Sequence, residues 1–211
     1  MAAPHDRAAH WDDAYRAIGV ESVSWFEPEP TMSLALLEAL GTRPEDAVLD
    51  VGGGASTLVD HLVDRGFRDV TVLDVSIVAL EEGQARLGTN APVGWLREDL
   101  LSWRPPRHYD VWHDRAVFHF LSDPADRRRY FGVLTDGVAA GGAAIIGTFA
   151  EDGPESCSGL PVARYSAAGL CEELGPLFRP LVCKREVHVT PTGVLQPFTW
   201  VAGRMAEGTA G

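Results

Sequence analysis

The spacing of apolar positions along this chain changes repeatedly, and each change marks an element. Val48-Leu49-Asp50-Val51 is an apolar run of strand length, within a predicted strand 47–51, that breaks into Gly52-Gly53-Gly54. Comparable runs recur at 70–74, 93–96, 109–113 and 143–149; the last is continuously apolar, as in a strand buried on both faces. Helical spacing fills the intervals. Leu34, Leu37 and Leu40 form a stripe that stops at Gly41. Leu58, Leu62 and Val63 predict a helix over 56–65, Ala79, Leu80, Ala85 and Leu87 one over 77–87, and a further helix runs over 124–139 from Pro124. Ahead of them, residues 8–17 read as a short helix with Trp11 and Tyr15 four apart on one face, followed by Trp25 and Phe26 in a proline-closed loop.

Strand–helix alternation through five strands implies a parallel sheet with helices on both faces. Beyond Ala150 the pattern differs. A polar, glycine- and proline-rich loop at 151–163 precedes a helix at 166–175 and two strands, 181–189 and 195–204, joined by Thr190-Pro191-Thr192-Gly193. Strands this close pair as an antiparallel hairpin.

With 211 residues the chain supports one domain around one substantial core. The net charge of −12, from 30 acidic and 18 basic residues, opposes a phosphate backbone, so no nucleic-acid partner is expected. The basic run Arg127-Arg128-Arg129 reads as a solvated helix face. No long apolar run suggests a membrane span, and the N-terminus lacks the pattern of a signal peptide. Three cysteines, Cys157, Cys171 and Cys183, suggest neither a disulfide framework nor a zinc site and fit a reducing cytoplasm. Glu207–Gly211 reads as a loose tail.

Asp74 ends the second run twenty-four residues after Asp50, where an acid can accept from ribose hydroxyls. Asp50-Val51-Gly52-Gly53-Gly54-Ala55-Ser56 resembles the D-x-G-x-G-x-G loop of class I S-adenosylmethionine-dependent methyltransferases, with Ser56 at the last glycine and free to cap the next helix. A dinucleotide dehydrogenase would show G-x-G-x-x-G instead. The resemblance spans residues 45–205 and implies an α/β fold, a Rossmann-like seven-stranded, mostly parallel sheet with a C-terminal antiparallel hairpin. It divides the chain into an N-terminal helical and aromatic segment (1–44), a cofactor-binding core (45–150), a substrate loop with the hairpin (151–205) and a tail (206–211).

It also implies S-adenosylmethionine as cofactor, with S-adenosylhomocysteine as product. Asp50, Gly52, Gly53, Gly54 and Ser56 would contact its amino-acid part, Asp74 its ribose, and Ser76 and Ile77 its adenine. Asp99, beside Leu100, would accept from the exocyclic amine, its alternative being a turn cap. His113 completes the expected cofactor set. Trp11, Tyr15 and Trp25 form either a lid over the cofactor or a plug at a sheet edge. The loop carrying Cys157 either closes over an acceptor or is an ordinary connection.

The densest polar cluster is Trp112-His113-Asp114-Arg115-Ala116-Val117-Phe118-His119, at the end of the fourth strand. Ionisable groups among bulky apolar ones pair with one another or serve a ligand. His113, Asp114, Arg115 and His119 are the candidate catalytic residues; if the chain turns helical after Asp114, Arg115 and His119 share a face. A metal held by His113, Asp114 and His119 lacks a defined ligand geometry, so none is assigned. Trp112-His113-Asp114-Arg115-Ala116, with Asp123-Pro124, Asp126-Arg127 and Tyr130 behind it, resembles the W-D-R-G-A segment of thiopurine S-methyltransferases and their bacterial thiol and tellurite relatives. That resemblance implies a small-molecule acceptor, puts Arg115 in its pocket, and makes sulfur, selenium or tellurium the first expectation. The alternatives are an amine or protein-lysine acceptor, and a protein that binds the cofactor without turning it over. The oligomeric state stays open.

Overall fold

In a computed structural model, the backbone is described over residues 4–206 and side chains over 7–206, so the expected tail lies outside the described residues. Helix α1 (Pro4–Ile18) is followed by α2 (Thr31–Ala39), β1 (Val48–Val51), α3 (Leu58–Asp64), β2 (Val70–Asp74), α4 (Ile77–Leu87) and β3 (Val93–Arg97). Then come β4 (Tyr109–Arg115), α5 (Pro124–Gly137), β5 (Val138–Phe149), the two-residue strands β6 (Ser156–Cys157) and β7 (Leu160–Pro161), α6 (Ala167–Leu174), β8 (Phe178–Val189) and β9 (Leu195–Met205). Seven strands form one sheet in the order β3-β2-β1-β4-β5-β9-β8. β1 pairs parallel with β2 and β4, and β4 with β5, while β9 runs antiparallel between β5 and β8.

Strand alternation sorts the core into two layers. Leu49, Val51 and Trp112 point to one face, where Tyr130 and Leu134 of α5 and Leu170 and Leu174 of α6 cover them. Val48, Val111 and Ile145 point to the other, against Leu36 and Leu37 of α2, Leu58 and Leu62 of α3, and Leu80 of α4. The chain leaves β1 towards β2 on one side and returns to β4 on the other. That reversal opens the sheet at the carboxyl ends of β1 and β4, the usual ligand position in such sheets.

Three local expectations are corrected. The chain does not turn helical after Asp114. β4 continues to Arg115, Ala116 takes a left-handed φ of 68°, and a single 3-10 turn spans Phe118–Phe120. Arg115 and His119 therefore share no helix face. The 151–163 segment is not a bare loop, since Ser156–Cys157 pairs with Leu160–Pro161 around Ser158 (φ 49°) and Gly159 (φ 76°). The first hairpin strand starts at Phe178 rather than 181, with a register shift at Pro180/Val182. The bulge keeps the pairing alive past a proline that cannot donate to the ladder.

Candidate active site

The glycine turn after β1 sets the site's floor. Gly52 adopts φ 64°, and a Cβ there would collide with Val117. A Cβ on Gly53 would collide with the Asp50 carboxylate and come within 2.9 Å of Val72. Only glycine lets the backbone pass this close to the buried acid. Ser56 Oγ accepts from Leu58 N–H at 3.1 Å at the start of α3, whose N-cap position is Thr57.

Two cavities meet above this turn. The larger, about 330 Å³, extends from Asp74, Glu98 and Asp99 at the ends of β2 and β3 to Trp11, Phe120, Cys157 and Pro161. The smaller, about 50 Å³, lies between the turn and the 20–33 segment and includes Ser33, Asp50, Gly53, Ser56 and His113. Tyr15, Trp25, Val51, Gly52 and Arg115 line both and mark the junction.

Asp50 is 2% exposed in the middle of the sheet. Its Oδ1 meets His113 Nδ1 at 2.7 Å, and His113 Nε2 lies 2.9 Å from Ser33 Oγ. Oδ2 is buried without a partner, an acceptor that a ligand's ammonium would satisfy. Asp74 Oδ1 accepts from Ser76 N–H at 2.7 Å. Burial, with the charges of Asp50 and Asp12, pushes the Asp74 carboxyl up to about 7. At Asp99 the turn-cap alternative is realised. Its Oδ1 accepts from Leu101 N–H as a turn cap at 3.0 Å, and its Oδ2 holds Arg7 Nη2 of α1 at 2.5 Å inside the larger cavity. Leu100 lines that cavity too. Ser76 and Ile77 do not; Ser76 Oγ caps α4 through Ala79 N–H and donates to Asp12 at 2.6 Å. Gly54 supports the cleft from beneath, 2.7 Å from Asp74 Oδ2 at its missing Cβ.

The aromatics of α1 and the following loop form a roof over the cleft. Trp11 packs edge-on against Trp25 and Phe120, with centroids 5.6 and 5.1 Å apart, and Trp25 Nε1 donates to Tyr15 Oη at 3.1 Å. They stand over the carboxyl ends of the strands, not at an outer edge, which are β3 and β8. The Cys157 hairpin closes the far wall.

The candidate catalytic cluster does not converge on one point. Asp114 is fully buried and accepts from Tyr130 O–H at 2.8 Å and Val117 N–H at 2.9 Å, tying down the turn that starts at Ala116. Burial raises its carboxyl to about 6 against the lowering effect of these donors. His119 is also fully buried; burial pushes its imidazole down to about 3, so it stays neutral, packed beside Phe149 at 4.6 Å. Neither lines the larger cavity, and His113 touches only the smaller one. Arg115 alone of the four lines both. Its Nη1 donates to Trp25 O and its Nη2 to Glu27 Oε1, each at 2.8 Å.

Glu27 and His188 were not singled out from the sequence. Glu27 also meets His188 Nδ1 at 3.1 Å, while His188 Nε2 contacts Ser24 O at 2.8 Å. Burial alone would raise the Glu27 carboxyl, but the His188 and Arg115 contacts outweigh it and hold it below its ordinary range. Ser33, Asp12, Arg7 and Phe120 were missed for the same reason: their partners lie tens of residues away. Glu27 carried one weak signal, an acid between two aromatics and a proline.

Residues 48–142 match a family model described as a methyltransferase domain. Over that stretch the chain is similar to methyltransferase domains, and its seven-stranded sheet with the C-terminal antiparallel hairpin is the Rossmann-like methyltransferase fold. Among particular proteins, it is 28% identical over 102 residues to the mouse eEF1A lysine and N-terminal methyltransferase, covering 47% of this chain and 14% of that one. It is 24% identical over 110 residues to malonyl-[acyl-carrier protein] O-methyltransferase 1 of Ilyobacter polytropus, covering 52% of this chain and 40% of that one. Less than half the length of either relative is spanned. In structure it is similar to the Burkholderia thailandensis 1,6-didemethyltoxoflavin-N1-methyltransferase, solved with 1,6-didemethyltoxoflavin and S-adenosylhomocysteine. The TM-score is 0.74 at 20% identity, over 98% of this chain and 92% of that one.

Proposed function

We propose that this protein transfers the methyl group of S-adenosylmethionine to a small-molecule acceptor. The observation that carries the proposal is the pair of joined cavities, with an unpartnered buried carboxylate oxygen in the smaller and an acid at the end of β2 in the larger. Asp50 Oδ2 would accept from the cofactor's ammonium, Gly52 and Gly53 would admit its methionine part, and Asp74 would hold the ribose hydroxyls. Asp99 would take the adenine amine, with Arg7 moving aside or stacking over it. The bound cofactor supplies a methyl already activated on a sulfonium sulfur. The chain's own task is then to orient an acceptor at the junction and exclude water, which suits Trp11, Trp25 and Phe120.

Sulfur, selenium or tellurium acceptors depend on Arg115 as a free counter-charge. Both of its Nη atoms are already engaged, which weakens that reading relative to a nitrogen acceptor. The lysine alternative draws on the name of the mouse relative, an eEF1A lysine and N-terminal methyltransferase. The test is transfer of a labelled methyl from S-adenosylmethionine to small thiols, amines, heteroaromatics and peptide lysines. Label is expected in a small molecule, with S-adenosylhomocysteine formed in equal amount. Label only in peptide lysine would contradict the proposal, and none in any class, with cofactor binding intact, would leave a binding protein.

A further inference from the structure

The acceptor half of the larger cavity is walled by Trp11, Trp25, Phe120, Leu160 and Pro161. Among the described residues, no histidine or lysine lines that cavity. Of the nearby imidazoles, His113 bridges Asp50 and Ser33, His119 is held neutral beside Phe149, and His10, edge-on to Trp11 at 5.2 Å, lies outside the cavity lining. Asp114 is spent on Tyr130 and the turn. The two lining cations are both ion-paired, Arg7 with Asp99 and Arg115 with Glu27. Three further acids, Asp74, Glu98 and Asp126, line the same space, and Asp126 is held by Arg129 at 3.0 Å.

Resting on the methyltransferase reading, we propose that the acceptor is a planar heteroaromatic molecule methylated on a neutral, pyridine-type ring nitrogen. Each alternative lacks something the cavity would have to supply. An alkyl thiol or amine needs a group to take its proton, and a thiolate needs an unpaired cation. A pyridine-type nitrogen needs neither, because its lone pair is free at neutral pH. That lone pair attacks the sulfonium methyl carbon, the carbon–sulfur bond breaks with its electron pair passing to sulfur, and the positive charge moves from sulfur to nitrogen. No proton is transferred. The product is a flat cation, which the aromatic wall of Trp11, Trp25 and Phe120 stabilises and the acids lining the cavity favour.

The experiment compares isoquinoline, benzyl mercaptan and benzylamine as acceptors, and measures binding of N-methylisoquinolinium to protein loaded with S-adenosylhomocysteine by tryptophan fluorescence. With S-adenosylmethionine saturating, isoquinoline should be the fastest acceptor at neutral pH, at a rate that stays flat as pH rises further. N-methylisoquinolinium should quench the fluorescence saturably. Phe120→Ala should weaken that binding about tenfold, the size of one lost cation–π contact, with S-adenosylhomocysteine affinity preserved as the sign of an intact fold. Faster turnover of the thiol or the amine, a rate that climbs with pH, or no binding of the cation to loaded protein would overturn the inference alone. Failure to bind S-adenosylhomocysteine at all would overturn the methyltransferase reading and this inference with it.

Discussion

At Asp74, burial and the Asp50 and Asp12 charges hold the proton more tightly in the folded protein than in the unfolded chain. Its contribution to stability is therefore complete below the ordinary value of 3.8 and is lost as pH rises through about 7. Cofactor binding should follow the opposite course, since ribose hydroxyls donate best to the ionised carboxylate. Affinity for S-adenosylhomocysteine should climb between about pH 6 and pH 8 with proton release, and Asp74→Asn should flatten the climb while weakening binding. Calorimetry in buffers of different ionisation enthalpy measures both. Asp114 behaves differently, because its oxygens hold the Ala116 turn and Tyr130. Asp114→Asn places an amide N–H among donors and should cost about 1–3 kcal/mol. Melting temperature would fall by roughly 2–4 °C per kcal/mol, and turnover would fall with it. A loss of turnover with an unchanged melting temperature would mean a direct role in the chemistry. His119→Phe should leave the pH profile of turnover unchanged, since a histidine already neutral at about 3 takes no proton in the working range. A new dependence on pH in that variant would contradict the assignment.

Among the elements, α1 is the one held on by a few specific contacts. Asp12 accepts from Ser76 Oγ and, at 3.3 Å, from Val78 N–H, placing an acid at the N-terminus of α4 where its dipole favours one. Arg7 reaches Asp99 across the larger cavity. If the cofactor's adenine competes for Asp99, this end of α1 must open and reclose. Hydrogen exchange over residues 8–28 should therefore slow on adding S-adenosylhomocysteine; equal protection with and without it would make the segment a fixed wall. The core elements were legible because their signals are local. Val48–Val51, Val70–Asp74 and Ile77–Leu87 follow directly from apolar period, a glycine break or the Ser76 cap. The end of β4 was not. Whether the chain coils after Asp114 depends on Tyr130, Gly147 and the strained Ala116, and no period in 109–121 encodes them. The candidate catalytic cluster stayed open between pairing and ligand binding for the same reason: the partners that engage Asp114, His113 and Arg115 are distant in sequence.

For the molecule as a whole, one arrangement links sheet and site. Strand order brings Asp50, Asp74 and Arg115 to the same end of the sheet from three strands, and α1 with the 20–33 segment covers that end. Among the described residues, no helix is long and apolar enough to cross a membrane. The central claim is that the joined cavities form one cofactor cleft around the glycine turn. Titration calorimetry with S-adenosylhomocysteine tests it most directly, on the wild type and on Gly53→Val, whose side chain would push against the Asp50 carboxylate. The account predicts saturable one-to-one binding in roughly the micromolar range for the wild type. It predicts loss of that binding in Gly53→Val, with the variant still folded by circular dichroism. Absence of binding by the wild type, tight binding of NAD in its place, or unchanged affinity in folded Gly53→Val would contradict it.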